Sequence, residues 1–304
     1  MTQRSGQPGW LVVNADDLGV SRGTTLGILK AHRDGIVTSA SIAPAMPHYQ
    51  FAVESCVRQC PDLGVGLHFT LTSGRPVCDV QRVPLLVDSG GRFRWRFTSL
   101  LGAVMSDSQP GLLDQVELEI EAQLDRLRQD GIVTDHVNGE RHVQLIPGIF
   151  ERVVAAARRF GVPYVRAGRD IGPRLLRARD LLPLGVSGGY AKWGLLSGLT
   201  AVARNHLKGV ASADCIASYL FTGMTGTFLP MLLSSPPLPG VTEVMVHPAM
   251  PEEDRELSLG NAEVERYVRS TDRRLELDAC QSARHDTGDW KLTTFGRLAR
   301  PGGA

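Results

Sequence analysis

The sequence predicts an α/β fold built on a parallel sheet, open or closed into a barrel. Short apolar runs alternate with amphipathic stretches of helical period about six to eight times between Trp10 and Phe295. That alternation places helices between parallel strands. Runs such as Trp10-Leu11-Val12-Val13 and Val241-Thr242-Glu243-Val244-Met245-Val246 read as strands buried on both faces. Four predicted strands end in side chains capable of chemistry, and ligands in such folds bind at that end of the sheet.

The elements follow in order. After the first strand and its Asp16-Asp17-Leu18-Gly19 turn, residues 23–34 read as a helix with Leu26, Ile28, Leu29 and Ala31 apolar, stopped by Gly35. Residues 36–43 form a second strand, 47–60 a second helix and 63–71 a third, alternating strand that carries His68. The pattern weakens over 72–110, which is too long for an ordinary connection and reads as an irregular insertion beside the site. Residues 112–130 form an amphipathic helix, with Val116, Ile120, Leu124 and Leu127 at helical spacing, ended by Gly131. A fourth strand covers 132–138, a helix opened by Pro147 runs to Phe160, and a fifth strand covers 162–166. Beyond these, the pattern gives a helix over 195–208, a short strand over 214–219, a short helix over 226–233 and a strand over 241–246 ending at His247-Pro248. Two helices over 261–271 and 275–282 and a last strand over 290–295 complete the chain. No repeat of fixed period and no linker interrupts it, so a single domain is expected over residues 1–304.

The 304 residues are 42% hydrophobic and 21% charged with a formal net charge of +1. This is an ordinary globular composition with no bulk electrostatic reason to bind nucleic acid. Neither a signal peptide nor an uninterrupted membrane-spanning stretch is visible, and the termini read as frayed. The five cysteines suggest neither a zinc ribbon nor a disulfide framework. A cytoplasmic protein with reduced thiols is the expectation; a homodimer is compatible with it.

Four strand ends carry the candidate chemistry: Asp16 and Asp17, His68, the stretch Asn138-Gly139-Glu140-Arg141-His142, and His247. Adjacent carboxylates at a buried strand end repel each other and are costly to desolvate, which a divalent cation would relieve. The plainer alternative is a strand-to-helix turn with Asp as helix cap. Parallel strands share one C-terminal face, so all four groups can converge there. Carboxylate with imidazole is a usual ligand set for a hydrolytic metal, with a free carboxylate as base and a histidine as acid. Arg166, at a strand end, and Arg75, after the Thr-Ser-Gly turn, are candidates for binding substrate oxygens or a phosphate, with surface ion pairs as the alternative. Phe93, Trp95 and Phe97 could stack on the face of a bound ligand or cover a core edge.

These residues carry a resemblance. Asn14-Ala15-Asp16-Asp17-Leu18-Gly19, Gly35-Ile36-Val37-Thr38-Ser39-Ala40, Gly66-Leu67-His68-Phe69-Thr70-Leu71-Thr72-Ser73-Gly74-Arg75-Pro76, Asp135-His136-Val137-Asn138 and Glu243-Val244-Met245-Val246-His247-Pro248-Ala249 occur in that order. Together they resemble the YdjC-type carbohydrate deacetylases, which include chitooligosaccharide deacetylase and the hopanoid-biosynthesis-associated deacetylases. The hopanoid-associated branch is the nearer, through Asp135-His136-Val137-Asn138 and Phe221-Thr222-Gly223-Met224-Thr225. The resemblance implies a distorted (β/α) barrel of mostly parallel strands, similar to a TIM barrel. It implies metal-dependent removal of an acetyl group from an N-acetylated amino sugar, free or on a lipid or natural-product aglycone. Asp17 and His68 would bind the metal, zinc first, with cobalt, manganese, nickel or magnesium admissible; Asp16 would be the general base and His247 the general acid.

One position departs from the family pattern. Glu140 stands where the family has the histidine that supplies its third metal ligand, His142 keeps the next histidine, and Gln144 replaces the later one. Glu140 as an oxygen ligand is the favoured expectation, with His136 or His142 as substitutes and a contribution of His142 to substrate binding. The rival expectation is an altered member that binds a glycan or glycoconjugate without hydrolysing it.

Overall fold

The structure is a computed structural model that describes residues 9–171, 189–217 and 225–300. Among the described residues, nine strands form one sheet: β1 (Gly9–Leu18), β2 (Ser39–Ile42), β3 (Gly64–Phe69), β4 (His136–Gly139), β5 (Tyr164–Val165), β6 (Arg169–Asp170), β7 (Cys215–Ala217), β8 (Gly240–Val246) and β9 (Lys291–Leu292). Their order is β5-β4-β3-β2-β1-β8-β7-β6, with β9 also on β1, and every pairing is parallel. The sheet curls into a distorted barrel. An isolated parallel bridge, Tyr164 to Ala211, joins the β5 edge to the segment leading into β7. Helices return the chain between strands, as the alternating pattern requires.

β1 is central because it is long and almost wholly buried, and it pairs along seven residues with β8. Side chains alternate across a strand, so Val12, Asn14 and Asp16 share one face, as do Ser39 with Ser41 and His136 with Asn138. These faces meet inside the barrel: Asn138 Nδ2 donates to Asp16 Oδ1 (3.0 Å) and Ser41 Oγ (2.8 Å). Below this polar layer Val12, Ala213 and Phe295 form an apolar plug. The Phe295 ring lies 4.8 Å from that of His136 and 4.9 Å from that of Tyr164.

Several boundaries differ from the sequence pattern. The expected strand over 132–138 starts only at His136, because Val133 is 87% exposed and has nothing to pack on. The segment 47–60 is one α-helical turn, Tyr49–Ala52, followed by a π-helix, Val53–Val57, where Ser55 donates to the carbonyl of Phe51. The helix after Pro147 begins at Ile149, with Gly148 as its cap. The helix over 195–208 runs earlier, over Gly189–Ala203, and closes in a 3-10 turn, Arg204–His206. The last strand is two residues long, since Thr294 caps a helix over Phe295–Leu298. Residues 218–219 of the expected strand over 214–219, and the Phe221–Met224 part of one motif, lie outside the described residues.

The insertion over 72–110 contains a helix, Phe97–Met105. It is tied down by the helix over Leu112–Gln129: Glu119 accepts from the backbone N–H of Val77 (2.9 Å) and Cys78 (3.0 Å), and Gln115 from that of Leu85 (2.7 Å). Burial pushes the Glu119 carboxyl up to about 7, against the pull of those donors.

Gly66 leaves room for the imidazole of His136, whose ring atoms would lie 2.2–2.4 Å from an added Cβ. Gly66→Ala should therefore cost about 1–3 kcal/mol by overpacking, read as a lowered midpoint in urea unfolding with an unchanged slope.

Candidate active site

A cavity of about 560 Å³ opens at the C-terminal ends of the strands, within the range of small-molecule sites. Its lining includes Asp16, Asp17, His68, Glu140, His142 and His247, so strand ends far apart in sequence share one space. Phe97 also lines it, whereas Phe93 is in the core and the Trp95 indole donates to the carbonyl of Leu85.

Asp16 is the most constrained group there. Its Oδ1 accepts from Asn14 Nδ2 (2.8 Å), Ser41 Oγ (3.1 Å), Asn138 Nδ2 (3.0 Å) and Arg166 Nη2 (2.7 Å), while its Oδ2 accepts from Arg166 Nη1 (2.6 Å). Arg166 reaches on to Glu243 Oε1, with Nε at 2.8 Å and Nη2 at 2.6 Å. Burial alone would raise the Asp16 carboxyl; the Arg166 guanidinium, with help from His68 and His247, outweighs it and holds Asp16 well below the usual carboxylate range. Burial likewise opposes the charge on Arg166, but its two carboxylates keep it charged. Arg166, expected to bind substrate oxygens, is 3% exposed, and its fork is committed to Asp16 and Glu243.

Near the end of β1, where its register with β2 shifts between Ala15 and Leu18, Asp17 has φ at 72°, in the left-handed region that costs a non-glycine residue energy. Its carboxylate meets His68, with Oδ1 3.2 Å from Nε2. His68 Nδ1 lies 2.7 Å from Asn138 Oδ1. The Asn138 amide nitrogen donates to Asp16 and Ser41, so its oxygen must face His68 and Nδ1 must carry the proton. That tautomer leaves Nε2 to donate to Asp17 as an imidazolium or to offer a lone pair to a cation. Burial pushes His68 down, but hydrogen bonding to Asp17 and the charges of Asp16 and Asp17 raise it to about 9. Burial raises the Asp17 carboxyl, and His68 more than reverses this.

Glu140 does not join this pair. Its Oε2 accepts from the Thr72 N–H (3.3 Å) and Thr72 Oγ1 (2.7 Å), and its Oε1 accepts from Ser73 Oγ. Among the described residues, no group of three or more His, Cys, Asp or Glu side chains is arranged to hold a metal ion. Asp17 and His68 suit a cation as two converging donors; the third expected from Glu140 is tied to the insertion instead. His136 is no substitute, since its Nδ1 pairs with Asp135 Oδ1 (2.7 Å) and its ring lies over Gly66. His142 lines the cavity, on a backbone at φ 63°, with burial holding its imidazole well below the usual value. Arg75, the other expected substrate-binding arginine, is exposed, reaches the carbonyl of Gly91 at 3.5 Å and lies outside the lining of this cavity.

His247 ends β8. Glu276, on the helix Thr271–Ser282, accepts its backbone N–H at 2.5 Å and stands 3.6 Å from its Nδ1. Sequence reading passed over Glu243, Asn14, Ser41, Glu276 and Arg273. Glu243 had a signal, a carboxylate inside an otherwise apolar strand; the others are ordinary polar residues until the fold brings them together.

The Asp16 carboxyl titrates lower in the folded chain than its unfolded value near 3.9. Its ionisation thus stabilises the fold above that pH, and the gain is lost as pH falls toward the folded value. The stability difference between wild type and Asp16→Asn in urea melts should be flat from about pH 5 to 8 and shrink below about pH 4.

The chain is similar to several known proteins. A carbohydrate deacetylase from Geobacillus stearothermophilus is 38% identical over 174 residues, 57% of this chain and 66% of that protein. A chitooligosaccharide deacetylase from Proteus mirabilis is 36% identical over 156 residues, 50% of this chain and 57% of that protein. The matched stretch thus spans less than two thirds of either relative. A solved Enterococcus faecalis structure, whose name refers to cellobiose-phosphate cleavage, aligns with a TM-score of 0.69 over 96% of this chain and 100% of its own, at 23% identity; it supports the fold alone. The YdjC-like protein family matches residues 10–286, and the chain belongs to that family.

Proposed function

We propose that the chain is an amidohydrolase that removes the N-acetyl group of an amino sugar of the N-acetylglucosaminyl type. The observation that carries this reading is the meeting of Asp16, Asp17, His68 and His247 in one cavity at the strand ends. The names of the relatives, carbohydrate deacetylase and chitooligosaccharide deacetylase, point to the same chemistry.

Asp17 and His68 would hold a divalent ion, zinc or else cobalt, manganese, nickel or magnesium. When bound there, such an ion supplies Lewis-acid polarisation of the acetamide carbonyl and lowers the pKa of water. Arg166, Asn14, Ser41 and Asn138 hold Asp16 ionised and in one rotamer. Its Oδ2 carries a single donor, so that oxygen has the lone pair to take a proton from an attacking water. A carboxylate held so low is a weak base at rest. His247 faces the cavity from β8 and gives a proton to the departing amine. Leu195, Leu196, Met46 and Val264 add apolar surface to the cavity lining, in keeping with a sugar carried on a lipid or natural-product aglycone.

The tether of Glu140 to Thr72 and Ser73 favours a second reading, glycan binding without turnover, because it leaves two protein donors for the ion. The two readings separate on acetate release from N,N′-diacetylchitobiose, measured with zinc, cobalt, manganese, nickel or magnesium added. Release by wild type that falls at least about 100-fold in both Asp17→Ala and His68→Ala supports hydrolysis. Binding of the sugar without release from wild type under any of these metals supports the second reading. Glu140→Gln should leave metal affinity, measured by calorimetry, within about twofold, against the 10- to 100-fold loss typical of removing a group that supports a metal site.

A further inference from the structure

The helix Thr271–Ser282 lies outside every motif that carried the family resemblance, yet it places a buried carboxylate behind His247. Glu276 is 1% exposed. Its Oε2 receives the backbone N–H of His247 at 2.5 Å and stands 3.6 Å from Nδ1 of the same residue. One oxygen therefore touches His247 at both its main chain and its ring. The other oxygen, Oε1, lies 2.7 Å from Arg273 Nη2, one helical turn away. Arg273 is itself 2% exposed; its Nη1 donates to the Tyr267 hydroxyl at 2.8 Å, and its guanidinium lies 4.5 Å from the centroid of the Tyr267 ring. The Tyr267 ring in turn meets the His247 ring edge-on, 6.0 Å between centroids, and lines the cavity. His247 is thus held from behind by a carboxylate and from the side by an aromatic wall, and Arg273 braces both.

A buried carboxylate is costly to keep charged without partners. Burial would raise the Glu276 carboxyl, and its bonds to His247, with the charge of Arg273, bring it below the usual value. Glu276 is therefore an anion, and an anion facing Nδ1 favours the tautomer with its proton on Nδ1. Nε2 is then the atom left to serve the cavity.

We propose that Glu276, braced by Arg273 and Tyr267, is the positioning residue of His247, holding the proton on Nδ1 and presenting Nε2 to the substrate. This rests on the reading of His247 as the acid of an amide hydrolysis, but the orientation of the ring can be tested apart from turnover.

The experiment labels the histidines with ¹⁵N in the full chain and reads the two ring nitrogens of His247 by long-range ¹H–¹⁵N correlation, with His247→Gln to assign the signals. Glu276→Gln keeps the size of the side chain and an acceptor for the backbone N–H; Glu276→Asp keeps the charge. In wild type at alkaline pH the neutral ring should show the proton on Nδ1. Glu276→Gln should mix the two tautomers, and Glu276→Asp should restore the wild-type pattern at least in part. With N,N′-diacetylchitobiose, kcat should fall about 10- to 100-fold in Glu276→Gln, a share of what acid–base catalysis supplies, with KM within about twofold. A proton on Nε2 in wild type, or identical tautomer populations in wild type and a folded Glu276→Gln, overturns the proposal. Should Glu276→Gln fail to fold, Arg273→Met, which loosens the brace without touching His247, takes its place with the same expected mixing, and an unchanged wild-type pattern there overturns it. The expected tautomers together with no acetate release from wild type would leave the positioning role standing and remove the deacetylase reading instead.

Discussion

The guanidinium of Arg166, buried between Asp16 and Glu243, is the interaction on which the site depends. A buried arginine with no partner would destabilise the barrel, as would either carboxylate alone. Together they form two fork-like contacts, bidentate on Asp16 and shared on Glu243. The three groups come from β1, β8 and the end of β5, so the ion pairs also fix how these strands sit across the barrel. Asp16 is held rigidly, and its neighbour Asp17 is thrown to the other side of the chain and into contact with His68.

A polar barrel interior has a steric requirement as well as an electrostatic one. Gly64 and Gly66 on β3 give up side chains so that Asp135, Ser39 and the His136 ring can fit. On the same strand His68, two residues on from Gly66, fills the space one layer higher. The apolar plug of Val12, Ala213 and Phe295 beneath separates this layer from the opposite end of the barrel. Within the layer, Asn138 does double duty: its amide nitrogen serves Asp16 and Ser41, and its oxygen sets the tautomer of His68.

The insertion over 72–110 accounts for the position of Glu140. Glu119 and Gln123 on the helix Leu112–Gln129 fasten the start of that insertion, Gln123 bonding to both the N–H and the carbonyl of Thr70. Thr72 and Ser73 are thereby presented to Glu140 with three donors between them. A carboxylate offered neutral hydroxyl and amide donors at short range is satisfied there. A histidine at the same position has at most one ring acceptor and could not take all three of these donors.

The sequence by itself determined the alternation of strands and helices, the parallel sheet, and the strand ends at which Asp16, Asp17, His68 and His247 appear. These follow from apolar periodicity and from the shared direction of parallel strands, which are local properties. It misplaced the ends of elements such as the fourth and last strands, where tertiary contact rather than propensity decides whether a residue pairs. Arg166 and Glu140 were visible as candidates, but their partners, Glu243 and Ser73, lie 77 and 67 residues away. Glu276 and Arg273 were read only as part of a C-terminal helix. Tertiary structure alone decided that Arg166 holds Asp16, that Glu140 holds a loop and that Glu276 backs His247, because a charge buried in the barrel takes whichever partner the fold brings within hydrogen-bonding reach.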